Sequence, residues 1–273
     1  MKYQYEDIAI HYEVIGEGRP VVMLHGLGCD MELMRACMEP VFSKRPGYQR
    51  IYVDLPGMGR SGTVLSYASA DRILEVLTGF IDQVVPGKFL IMGESYGGYL
   101  ARGILSNDIE KVDGLMLLCP VIVPGREGRV LPPKNAEFHD RQFLDTLDTT
   151  EREQFCDYAV LADEDIYRRY KTEVAVELSQ ESEAFIYQLK DHYRFSFDVD
   201  EKIRTGRFER PALFVCGRQD ICVGYEDALK LVKDYPRGTF ALVDVAGHNL
   251  QLEQPKLLEA LVENWLLRVE KYI

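Results

Sequence analysis

Apolar residues recur along this chain in two rhythms. Near the N-terminus Ile8, Ile10, Tyr12 and Val14 alternate with other residues, the two-residue period of a strand covered on one face. Farther on the apolar runs are short and unbroken: Val21-Val22-Met23-Leu24, Phe89-Leu90-Ile91-Met92 and Leu115-Met116-Leu117-Leu118. Unbroken runs of this length suit strands buried on both faces, as in a parallel sheet between helical layers. The pattern predicts strands near 2–6, 9–14, 20–24, 50–54, 88–92, 112–118, 211–216 and 239–244, the first two as an antiparallel edge hairpin. Helices are predicted over 31–43, 69–84, 97–106, 225–235 and 255–270, the last carrying the only tryptophan, Trp265. Alternation of strand and helix specifies an α/β fold, a mostly parallel eight-stranded sheet with helices on both faces.

Between Pro120 and Phe208 the alternation stops. The segment shows helical patterns at Glu151–Leu161, Ile166–Leu178 and Glu181–Tyr193 and no core strand. It carries 19 acidic and 13 basic residues, a net −6 and half of the chain's −12. Such a surplus is ordinarily a solvated helix face. Placed at a pocket mouth, it would favour neutral or cationic substrates over anionic ones.

The same acidity argues against a nucleic-acid partner, which needs clustered Lys and Arg facing phosphates. A chain of 273 residues, 47% hydrophobic, can bury one sizeable core. The opening residues Met1 to Asp7 hold no apolar leader and no apolar run approaches 18 residues, so a cytoplasmic protein with no membrane partner is expected. Six scattered cysteines, at 29, 37, 119, 156, 216 and 222, lack C-x-x-C spacing and point to reduced thiols. Cys119 and Cys216 read as small core residues; Cys29 and Cys222 lie near the edge where chemistry is expected.

That chemistry starts at Gly93-Glu94-Ser95-Tyr96-Gly97, which follows an apolar strand and precedes a helical stretch. In this strand–turn–helix setting G-x-S-x-G lets a serine act as a nucleophile. The sharp turn forces Ser95 toward positive φ, and side chains in place of the flanking glycines would clash with the bend. The pentapeptide is short enough to arise by chance, so context must carry it. A serine needs a base, and there are five histidines. His11 sits in the alternating strand and is expected to be exposed; His139 and His192 read as surface helix residues; His25 lies where a strand runs into a glycine loop. His248, in Ala246-Gly247-His248-Asn249 just past the apolar segment 239–243, is best placed to reach Ser95. A carboxylate should orient the imidazole. Asp220 comes three residues beyond the strand-like run Pro211 to Gly217 and gives the order Ser95, Asp220, His248, with Asp244 as its rival.

On five ordered blocks, His25-Gly26-Leu27-Gly28, Asp54 to Ser61, Gly93 to Gly98, Gly217 to Asp220 and Gly247-His248, the chain resembles α/β-hydrolase-fold serine hydrolases over nearly its whole length. The resemblance implies an oxyanion hole formed by the backbone N–H groups of Tyr96 and Leu27, and makes His25 structural, pinning its own loop. It also implies a core of residues 1–120 and 209–273 and a helical cap over 121–208. No cofactor or metal is implied, only a small-molecule substrate.

Gly57-Met58-Gly59-Arg60-Ser61-Gly62 spells G-x-G-x-x-G and raises a dinucleotide-binding alternative, but Pro56 interrupts the junction and no helix opens directly after it. A receptor lacking catalysis is a second alternative, since fold does not fix function. Among enzymes, a serine at the nucleophile position excludes relatives that use an acid there. Ester hydrolysis is the leading reading, with carbon–carbon bond hydrolysis and proline iminopeptidase-like cleavage as alternatives. The last would use Glu173, Glu177, Glu181 or Glu183 to hold an ammonium, yet Glu94-Ser95-Tyr96 departs from the Gly-Ser-Trp usual in those peptidases.

Overall fold

The computed structural model describes residues 1–133 and 138–272. The strands are β1 (Lys2–Tyr5), β2 (Ile8–Ile15), β3 (Arg19–Leu24), β4 (Tyr48–Val53), β5 (Phe89–Glu94), β6 (Val112–Leu118), β7 (Phe138–His139), β8 (Leu161–Ala162), β9 (Ala212–Gly217) and β10 (Gly238–Val243). Apart from β7 and β8, which pair with each other, they form one eight-stranded sheet in the order β1-β2-β4-β3-β5-β6-β9-β10. The β1–β2 and β2–β4 pairings are antiparallel, and every later neighbour is parallel.

The helices are α1 (Met31–Phe42), α2 (Ala70–Val84) and α3 (Ser95–Asn107), then α4 (Arg141–Leu144), α5 (Thr149–Cys156), α6 (Glu164–Glu173), α7 (Gln180–Asp191) and α8 (Val199–Gly206), and last α9 (Glu226–Leu231), α10 (Leu250–Glu253) and α11 (Pro255–Tyr272). In α2 the buried positions Ile73, Leu74, Val76, Leu77, Phe80 and Ile81 make one apolar stripe, and the Ser69 side chain accepts from Arg72 N–H to cap the first turn. Helix α1 packs with α11 and α2 with α3, so helices flank the sheet on both faces. Trp265 of α11 is fully buried and donates its indole N–H to Pro211 O at 3.0 Å, fixing the helix to the start of β9.

The sequence pattern and the structure part where tertiary contacts outweigh local preference. The helix predicted to reach Leu161 stops at Cys156, because Val160 and Leu161 donate their N–H groups to the remote Glu253 carboxylate and run extended into β8. The helix predicted through residue 235 gives way after Leu231 to a single tighter turn. Helices α4 and α8 are too short to show a clear period, and each begins on an aspartate cap, Asp140 and Asp198.

The turn from β5 into α3 is made by backbone meeting backbone. A Cβ on Gly97 would lie 2.3 Å from Leu24 O, and one on Gly93 would lie 2.4 Å from Gly97 O. Ser95 takes φ +50° at the apex. Gly97→Ala must therefore push α3 off β3 and is expected to cost roughly 3 kcal/mol, the upper part of the usual overpacking range. Urea unfolding followed by circular dichroism measures it; an unchanged midpoint would show that the approach can relax.

Candidate active site

Three strand ends converge at one edge of the sheet, where open α/β sheets place their ligands. Ser95 stands at the end of β5, Asp220 follows β9, and His248 follows β10. Ser95 Oγ lies 3.0 Å from His248 Nε2, and His248 Nδ1 lies 2.9 Å from Asp220 Oδ2. Asp220 is fully buried, and its other oxygen accepts from the N–H groups of Cys222 at 2.8 Å and Val223 at 3.0 Å. These bonds fix the carboxylate so that it holds the imidazole with Nε2 facing the serine. Asp244, the rival acid, points away: its side chain is 69% exposed and accepts from Gln219 Nε2 at 2.8 Å.

The loop after β3 closes the other side. His25 is buried, donates Nδ1–H to Gly26 O at 2.8 Å and accepts from Leu55 N–H at its Nε2, 3.0 Å away. Burial lowers its pKa, keeping it neutral while it ties the two loops together. Among the described residues neither Leu27 N–H nor Tyr96 N–H donates to a protein acceptor, which leaves both free for a ligand oxygen. His11 is a correction: it is buried, not exposed, with Nδ1 3.0 Å from Asp54 Oδ2. Alternation gave its position on β2 but not the loop that folds over that strand. That loop is the glycine-rich stretch 57–62. Asp54 accepts from the N–H groups of Met31 and Arg60, and Ser61 Oγ donates to Asp54 O. Gly59 leaves room for the Asp54 carboxylate and Gly57 for the Phe185 ring, so these glycines serve internal packing.

His139 lies half-buried on β7 and not on a helix, whereas His192 is exposed and caps the C-terminal end of α7, in keeping with the surface helix residue expected, and it also lines the cavity. Cys29, Cys37, Cys119, Cys216 and Cys222 form no disulfide. Cys119, Asp220 and His248 form a cluster of potential metal donors, but burial keeps Cys119 a neutral thiol, a poor ligand form.

Two carboxyl groups were not singled out by the sequence. Glu94, the variable residue of the pentapeptide, is buried with Oε1 3.5 Å from His248 Nε2. Glu253 accepts from Gly247 N–H at 2.6 Å with one oxygen, and from Val160 N–H at 2.6 Å and Leu161 N–H at 3.2 Å with the other. An acid closing an otherwise apolar strand was the one available signal for Glu94. Nothing local marks Glu253, whose partners are backbone N–H groups, one on the histidine loop and two in a segment some ninety residues away.

A cavity of about 1210 Å³ opens onto Ser95 and His248, walled by Leu27, Cys29, Tyr158, Tyr170, Val174 and Tyr193 among others. From residues 121–208 its wall takes Arg126, Arg129, Lys190 and Arg194 against Glu127, Asp157 and Asp191. The described residues of that segment therefore bring no negative surplus to the cavity wall, and the expected bias against anions draws nothing from them; Asp71 and Glu94 are the acids that the rest of the chain adds to the wall. Glu173, Glu177, Glu181 and Glu183 do not line the cavity, and Glu173 is paired with Arg169 at 2.7 Å. Burial opposes a charged imidazole at His248, but the Asp220 charge and then Cys222 outweigh it and raise its pKa well above the usual histidine value.

A family model for the alpha/beta hydrolase fold matches residues 19–255, and the chain belongs to that family. An alpha/beta superfamily hydrolase from Oenococcus oeni PSU-1 superimposes with a TM-score of 0.88 at 30% identity, covering 99% of each chain. The 2-hydroxy-6-oxononadienedioate/2-hydroxy-6-oxononatrienedioate hydrolase 1 of Pseudomonas putida is 26% identical, over 95% of this chain and 92% of that one. A thermophilic esterase from Thermogutta terrifontis shares the fold with a TM-score of 0.71 at 21% identity, over 96% and 94% of the two chains. No helix among the described residues is long and apolar enough to cross a membrane.

Glu253→Gln replaces one acceptor oxygen with a donor and leaves at least one of three buried N–H groups unpaired. The expected cost is about 1–3 kcal/mol, seen as a lower urea midpoint together with faster hydrogen exchange at Gly247 or at Val160 and Leu161. Unchanged exchange at all three would remove Glu253 as their anchor.

Proposed function

We propose that the protein hydrolyses a small carboxylic ester or related acyl compound by way of an acyl-enzyme on Ser95. The observation that carries this reading is the unbroken chain of contacts from Ser95 Oγ to His248 to Asp220, at 3.0 and 2.9 Å, with Ser95 and His248 on the wall of the cavity. Ser95 attacks the carbonyl carbon as its proton passes to His248 Nε2. Asp220 stabilises the imidazolium, and the N–H groups of Leu27 and Tyr96 receive the oxygen as it becomes negative, an effect worth about 3–4 kcal/mol per donor. The imidazolium then protonates the departing alcohol, and water attacks the acyl-enzyme with the same groups in reversed roles.

In this reading residues 121–208 are a cap over a core made of 1–120 and 209–273, and the protein is cytoplasmic. Carbon–carbon bond hydrolysis by the same residues is the second reading, favoured by the full-length likeness to the Pseudomonas putida dienedioate hydrolase. A panel of p-nitrophenyl esters and 2-hydroxy-6-oxo dienoates separates the two by relative kcat/KM.

Ser95→Ala is expected to abolish p-nitrophenyl ester hydrolysis and labelling by a fluorophosphonate while leaving the fold intact. Full activity in that variant would eliminate Ser95 as nucleophile, and a wild-type chain that is neither labelled nor active on any panel member would favour a receptor. Asp220→Asn should lower kcat by roughly 10⁴, whereas Asp244→Asn should cost far less; the reverse order would move the role to Asp244.

The base must be neutral to accept the serine proton. Because its pKa is raised, kcat/KM should fall as pH drops through a value above the ordinary 6.5 of a free histidine. A rate that is flat between pH 5 and 8 would contradict a histidine base.

A further inference from the structure

We propose that Glu94 is a positioning residue that sets the proton affinity of His248, acting on the ring edge opposite Asp220. This inference rests on the reading of His248 as the base. The geometry is two-sided: Asp220 Oδ2 holds Nδ1 at 2.9 Å, and Glu94 Oε1 faces Nε2 at 3.5 Å, the nitrogen that also meets Ser95. The Glu94 side chain is 4% exposed and lines the cavity. Its place is built into the loop opposite, since a Cβ on Gly26 would fall 2.2 Å from Glu94 Oε2. No arginine or lysine among the described residues pairs with it, so its strongest electrostatic partner is the imidazole.

The groups facing Glu94 from neighbouring elements are few. Cys29 lies on the loop after β3, Cys37 on α1, Cys119 after β6 and Tyr193 after α7; burial pushes all four upward, so they stay neutral near pH 7. Asp220 and His248 are the charged groups that act on it. Burial raises the Glu94 carboxyl to about 7; His248 and the Gly26 N–H pull it down, and the Asp220 charge pushes it up. Because Glu94 and His248 face each other at 3.5 Å, the protonation of each bears on that of the other, and they titrate as a coupled pair.

The sign follows from charge. Asp220 and Cys222 already favour a charged imidazole at His248; an ionised Glu94 beside Nε2 adds to them, so His248 takes up its proton at a higher pH than those two alone would set. Activity is lost sooner on acidification, and in exchange the imidazolium formed during attack is stabilised from both edges. Removing the Glu94 charge should lower the proton affinity of His248 and extend activity toward acid.

The test is Glu94→Gln, of the same shape but uncharged, with Glu94→Asp as the variant that keeps the charge. In Glu94→Gln the acid limb of kcat/KM should move down by about one pH unit, a tenfold fall in proton affinity. The NMR titration of the His248 ring in the substrate-free enzyme should move with it. Glu94→Asp should restore both at least in part. An acid limb and a His248 titration that stay in place in Glu94→Gln, or that move upward, would overturn the proposal. The NMR measurement needs no turnover, so it decides the role of Glu94 even if Ser95→Ala were to retain activity and the hydrolytic reading were to fail.

Discussion

The structure depends on one close approach of backbone to backbone, where α3 lies against the end of β3 across Gly97. No side chain fits between Leu24 O and that helix, so β5 must turn within a single residue, and the residue at the turn is Ser95 at φ +50°. A non-glycine residue held there costs of order 1–3 kcal/mol. The surrounding sheet, with unbroken apolar runs of four residues within β3, β5 and β6, provides the packing that offsets this. What the strain secures is direction: the hydroxyl leaves the sheet at its edge rather than lying along a helix flank.

From that fixed point the site is assembled by buried carboxylates that bind backbone N–H groups. Asp54 shapes the glycine-rich loop, Asp220 is clasped by the turn that follows it, and Glu253 reaches three amides. Each satisfies donors that would otherwise be unpaired in the interior, at the cost of holding a charge away from water. Such a site derives its precision from main chain geometry, and it tolerates varied cavity walls without losing its register.

The strand order and the site residues were unequally legible. Strands buried on both faces announce themselves by unbroken apolar runs, and Ser95, Asp220 and His248 were visible because each follows an apolar run closely and has a glycine one to three residues before it. The structure brings those three side chains within hydrogen-bond reach. His11 was misread because alternation reports one strand's faces and not the loop packed over them. Glu94 and Glu253 were missed for a related reason: their partners are an imidazole far off in sequence and amides of a remote segment, and an amide carries no residue-type signal. The acidity of residues 121–208 was legible as a number but not as a direction, since side chains on a helix divide between wall and solvent only once the helices pack.

The grip of Glu253 on Gly247 and on Val160 and Leu161 joins the histidine loop to the stretch that carries Tyr158 on the cavity wall. It works as an interlock. Any displacement of that stretch that pulled Val160 and Leu161 away would strip two donors from the carboxylate, which would then hold only Gly247, the neighbour of His248. One buried acid thus makes part of the chamber's wall and the seat of its base a single mechanical unit.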